Sequence, residues 1–89
     1  MKDIKDFIGK QIKESLNNDK IEYIISEYAS DDEVIAPCEA LSEVKEFIYD
    51  GWPEKDAQEI MKGVEKIEPN EFFFWKNGQK EFVLITRIK

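Results

Sequence analysis

Apolar positions along the first half of the chain recur mostly at helical spacing. Ile4, Phe7, Ile8, Ile12 and Leu16 fall on one stripe, which predicts a helix over 3–17 with Asp3 as its N-cap and Asn17-Asn18 as its stop. Ile21, Ile24, Ile25, Tyr28 and Ala29 repeat at i, i+3, i+4, i+7 and i+8, which predicts a second helix over 20–29, although the β-branched content leaves a strand reading open. Ser30-Asp-Asp-Glu33 breaks that pattern, and Val34-Ile-Ala-Pro37 reads as a short strand or an extended linker. From Cys38 the spacing is helical again, with Leu41, Val44, Phe47 and Ile48 inward. Gly51 fits a left-handed helix end, Trp52 the contact that follows it, and Pro53 the start of a helix carrying Ala57, Ile60, Met61 and Val64. Residues 38–67 are thus expected to form an αα-hairpin, ended by Glu68-Pro-Asn70.

The period changes after that point. Phe72-Phe-Phe-Trp75 and Phe82-Val-Leu-Ile85 flank Asn77-Gly78, the signature of a β-hairpin with a type I′ turn. A two-residue turn there pairs Trp75 with Lys80, Phe73 with Phe82 and Phe72 with Val83. One face then holds Phe73, Trp75, Phe82, Leu84 and Ile88, and the other Phe72, Phe74, Val83 and Ile85. Both are apolar, so the hairpin is covered on both sides or offers one side to a partner. The expected fold class is α+β: three to four helices followed by a C-terminal antiparallel hairpin, with a short third strand near 33–36 as an option, all in one domain over 1–89.

Charge sharpens this picture. The net charge of −7 is concentrated in the middle third, where residues 31–60 set Lys45 and Lys55 against ten acids. Such a chain repels nucleic acid and anionic membrane, because affinity for phosphates comes from Lys and Arg. Glu39, Glu43, Glu46 and Asp50 recur at i, i+4, i+7 and i+11, which at 100° per residue predicts an acidic ridge opposite Leu41, Val44 and Ile48. Like charges at that spacing cost a helix a few tenths of a kcal/mol per pair. A ridge of this kind suits a basic protein surface, with Trp52 and Glu54 beside it as further contacts; the plainer alternative is a solvated helix face.

Catalytic chemistry is poorly supplied. The 89 residues contain no histidine, which removes imidazole acid–base catalysis, His-based nucleophile activation and most zinc sites. One cysteine, Cys38, cannot form an intrachain disulfide and has no histidine to activate it, which suits a reducing, cytoplasmic setting. Asp31-Asp-Glu33 lacks the alternating acids and central glycine of a calcium loop. No apolar run approaches the ~20 residues of a membrane span. The chain is therefore expected to be non-enzymatic, with no metal and no cofactor.

Two resemblances add to this reading. Phe47-Ile-Tyr-Asp-Gly-Trp-Pro-Glu-Lys-Asp-Ala-Gln-Glu-Ile-Met61 is similar to the helix–Gly–aromatic–helix junction of ubiquitin-associated domains, over about a sixth of the chain. The whole chain, short, acidic, without histidine and closed by an aromatic strand, resembles in kind the small phage and mobile-element inhibitors of host nucleases: anti-CRISPR and antirestriction proteins and the uracil-DNA glycosylase inhibitors. The last of these also show a Glu-Val-x-Glu-x-Ile helix followed by Pro-Glu-x-Asp, as in Glu43-Val-Lys-Glu-Phe-Ile48 and Pro53-Glu-Lys-Asp56. That resemblance implies a DNA-mimicking inhibitor of a basic, nucleic-acid-binding surface. A different class of function is an assembly module that homodimerises through Phe73, Trp75 and Phe82 of the hairpin.

Overall fold

Tyr23-Ile-Ile-Ser26 is buried on both sides, and this four-residue stretch organises the architecture. In a computed structural model, which describes residues 4–17, 19–29, 32–78 and 80–89, the elements are α1 (Ile4–Asn17), β1 (Tyr23–Ala29), β2 (Asp32–Cys38), α2 (Leu41–Gly51), α3 (Glu54–Val64), β3 (Phe72–Asn77) and β4 (Glu81–Arg87). The four strands form one antiparallel sheet in the order β2-β1-β4-β3. The expectation of helices followed by a hairpin is thereby corrected: the helices are interspersed among four strands.

The segment expected as a helix over 20–29 is β1. A central strand covered on both faces needs no polar alternation, so its apolar residues run together and can mimic a helical stripe. Ile24 and Ile25 are both fully buried, on opposite faces of the sheet, which a single helix stripe would not allow. The β-branched residues suit the strand. The stretch near 33–36 is the interior of β2, which pairs with β1 from Ala29–Asp32 to Tyr23–Cys38.

The hairpin register also differs from expectation. Trp75 pairs with Val83 and Phe73 with Ile85, and the pair at the turn end of the hairpin is Asn77–Glu81. Asn77 Nδ2 donates to Glu81 Oε1 at 3.1 Å across that pair. A shift by an odd number of residues exchanges the faces of one strand relative to the other. Phe73, Trp75, Val83 and Ile85 therefore share one face with Tyr23 and Ile25, while Phe72, Phe74, Phe82 and Leu84 share the other with Ile24 and Ser26.

The first face carries the main core. Val44, Ile48, Trp52, Ala57, Ile60, Met61 and Val64 of the helical pair pack onto Tyr23, Ile25, Val83 and Ile85, and Phe73 and Trp75 extend the core outward. The junction between α2 and α3 is not a left-handed glycine cap. Gly51 ends α2, and Trp52, in extended backbone, donates its N–H to Ile48 O at 3.0 Å. Among the described residues, positive φ occurs at Gly78 and Asn70, both 70°. Pro69 and Asn70 form the middle of a turn closed by Glu71 N–H donating to Glu68 O at 3.0 Å. Asn70 then donates to Arg87 O, and Arg87 N–H to Glu71 O, the pattern of a glycine-type bulge with asparagine in the left-handed position.

α1 lies on the second face, mainly over β1 and β2. Its inward residue is Gln11, 2% exposed, whereas Ile12 and Leu16, expected inside, are 56% and 81% exposed. The sheet provides the reason: Gln11 Nε2 donates to Ser26 Oγ at 2.8 Å, to Leu84 O at 3.1 Å and to Ile24 O at 3.3 Å, and Thr86 Oγ1 donates to Gln11 Oε1. A polar group tying two carbonyls and two hydroxyls of the central strands together fixes the helix rotation more firmly than its apolar stripe does. The cap and stop expected at Asp3 and Asn18, and the inward placing of the Ile4 and Phe7 side chains, lie outside what is described.

Candidate protein-binding groove

The packing of α2 over β1 and β2 leaves a groove of about 570 Å³ between α2 and the outer strand β2. Val44 and Ile48 fix the helix on the sheet, both fully buried. With those two residues inward, Glu43, Glu46 and Asp50, at i, i+3 and i+7, form the helix wall of the groove. Ala36, Pro37 and Cys38 of β2 form the opposite wall, and Phe47 and Tyr49 supply apolar surface. Tyr49 is exposed and Phe47 half-buried.

The expected ridge is thus present but shorter. Glu39 is exposed and precedes α2, outside the groove lining, and Glu54 is exposed in the first turn of α3. Trp52 is not an exposed anchor. Its indole is buried, makes an edge-on contact with Trp75 at 5.2 Å between centroids, and donates from Nε1 to Glu27 Oε1 at 2.8 Å. Phe73 and Trp75 are committed to the core side of the sheet, while Phe82 lies on the opposite face, stacked on Tyr28 at 5.5 Å and beside Phe74 at 5.7 Å. The structure therefore does not bring the three expected self-association residues onto one surface.

Three features of the groove were not read from sequence: Pro37, Phe47 and Tyr49 as its apolar lining. Phe47 and Tyr49 bracket the inward Ile48, and only the pairing of β2 with β1 brings Pro37 opposite them.

Among the described residues no lysine or arginine forms an ion pair with Glu43, Glu46 or Asp50. These carboxylates run along one helix face, and the last turn of α2, where a cation would complement the helix dipole, carries Asp50 and no base. Cys38, on the other wall, has its thiol pushed up to about 11 by burial first and then by the charge of Glu43. It is buried and neutral at physiological pH, and its Sγ lies 3.9 Å from Ala36 O. A protonated, desolvated thiol is a poor nucleophile. Of the acids weighed as a cation loop, Glu33 is paired with Lys10 of α1, Asp32 is exposed at the start of β2, and Asp31 lies outside the described residues. Among the described residues no group of three or more Cys, Asp or Glu is placed to hold a metal ion, and no helix is long and apolar enough to cross a membrane.

Fold and groove together define a small α+β domain with an antiparallel sheet, a helical pair on one face and a single helix on the other, and an acidic, aromatic-lined cleft at one sheet edge. Comparison with protein-family models, with curated proteins and with solved structures finds no match.

Proposed function

We propose that this chain is a non-enzymatic binding module whose α2–β2 groove holds a basic segment of a protein partner. The observation that carries this reading is the placing of Glu43, Glu46 and Asp50 along one wall of a cleft lined by Phe47, Tyr49 and Pro37. Carboxylates repelling one another on a helix face cost stability, and a Lys- or Arg-bearing ligand converts that cost into attraction. The apolar lining adds a place for one aromatic or aliphatic side chain, which gives specificity that charge alone does not. A protein surface that otherwise binds nucleic acid has the required chemistry, with the carboxylate row occupying the phosphate positions, so inhibition of such a protein falls within this reading.

The test is binding of a fluorescently labelled Lys/Arg-rich peptide containing one tryptophan, followed by anisotropy at low and high salt. Affinity is expected to fall steeply with salt, and Glu43→Lys with Glu46→Lys to abolish it, while Glu65→Lys at the end of α3 leaves it within about twofold. Equal binding by the double variant and the parent removes the proposal.

A further inference from the structure

The two edges of the sheet are built differently. In β2 the pairs Tyr23–Cys38, Ile25–Ala36 and Glu27–Val34 turn even-numbered β2 residues toward β1, because Ile88 N–H donating to Glu22 O assigns the even-numbered β1 residues to β4. Pro37 therefore occupies an outward position, where an incoming strand would need an N–H. Glu33, another outward position, is tied to Lys10. This edge is blocked.

At β3 the donation from Arg87 N–H to Glu71 O assigns odd-numbered residues to β4, so the N–H and C=O groups of Phe72, Phe74 and Lys76 face outward. No proline or bulge interrupts these six residues. Phe72 and Phe74 are 56% and 40% exposed on the sheet face that carries α1, with Phe72 at the rim of a cleft lined by Ile8 and Ile12. The strand with its flanks, residues 70–78, carries only Glu71 and Lys76, so it is a neutral edge on a chain of net charge −7.

We infer that β3 is the interface of a twofold homodimer in which β3 pairs antiparallel with β3 of a second copy about Phe74. That register sets Phe74 against Phe74, Phe72 against Lys76 at both ends, and Phe73 beside Trp75. The two cation–aromatic pairs and the absence of net charge make the edge complementary to itself. The blocked β2 edge stops the eight-stranded sheet from adding further copies, so the assembly closes as a dimer rather than a filament.

The experiment is sedimentation equilibrium over a wide concentration range, together with amide hydrogen exchange. The parent is expected to show a reversible monomer–dimer equilibrium, with exchange at Phe72, Phe74 and Lys76 slowing as concentration rises. Phe74→Pro removes an N–H that β4 does not use and is expected to weaken the dimer at least about tenfold. Phe74→Lys, which needs no backbone change, is expected to do the same, so that a misfolded proline variant does not decide the matter. A monomer at all concentrations, or a dimer in which these three amides exchange independently of concentration, overturns the inference.

Discussion

The indole Nε1 of Trp52 donates to Glu27 Oε1 at 2.8 Å, joining the α2–α3 junction to the middle of the central strand β1. Burial pushes the Glu27 carboxyl above its ordinary value of 4.5, and the Trp52 hydrogen bond opposes that rise. A carboxyl whose pKa is raised by folding binds its proton more tightly in the native state. Its contribution favours the native state at low pH and is lost as pH rises from the unfolded value through the raised folded one. Glu27→Gln keeps an oxygen acceptor for Trp52 and removes the ionisation. Urea unfolding across pH 4–8 is expected to show the variant gaining stability relative to the parent as pH rises.

Trp52→Ala is expected to destabilise by about 3–5 kcal/mol, as a buried aromatic removed from a packed junction. It leaves Glu27 without its indole donor and Trp75 without its edge-on neighbour. Trp52→Phe keeps most of the packing and loses the donor, so its cost is expected to be smaller and to grow with pH. Equal costs for the two variants would deny the packing its share.

Gly63 and Phe73 form a second contact on which the core depends. A Cβ at Gly63 would lie 2.5 Å from Phe73 Cδ1 and Cζ, so the aromatic ring sits where any side chain at 63 would be. Gly63→Ala is expected to cost about 1–3 kcal/mol despite its better helix propensity. Phe73→Leu in the same chain is expected to recover part of that loss, a coupling that a double-mutant cycle measures.

Gln11 anchors α1. Gln11→Leu leaves Ser26, which is fully buried, without its partner, and is expected to cost about 1–3 kcal/mol. Hydrogen exchange on α1 is expected to rise more than on α3, because the helix that loses its tie is the one with Ile12 and Leu16 facing water.

Cys38 reports on the groove itself. With its thiol pushed up to about 11, alkylation at neutral pH is expected to be slow in the native protein and fast in urea. Glu43→Gln removes one of the two causes of that rise, so the alkylation rate is expected to increase at a given pH without a change in stability large enough to expose the thiol.

Much of the helical content was legible in the chain because α1, α2 and α3 each carry an amphipathic period and stop at recognisable residues such as Gly51-Trp-Pro53. β1 was misread because Ile21, Ile24, Ile25 and Tyr28 satisfy a helical spacing by coincidence when a strand is apolar on both faces. The register of β3 and β4 was misread because Asn77-Gly78 favours a two-residue turn locally, while burial of Phe73, Trp75, Val83 and Ile85 on one face requires another pairing. The rotation of α1 was hidden because Gln11, the residue that sets it, is polar. In the groove, Glu43, Glu46 and Asp50 were visible as a periodic row, whereas Pro37 joins them only because β2 pairs with β1, a strand the sequence reads as a helix.

The most direct measurement of the binding account is amide chemical-shift mapping of the parent protein during titration with the Lys/Arg-rich peptide. The expected result is a saturable set of shifts confined to Ala36, Cys38 and residues 43–50 of α2, shrinking as salt is added. Shifts that are absent at low salt, or that centre on the exposed surface around Phe72 and Phe74 instead, would contradict the assignment of the groove as the binding site.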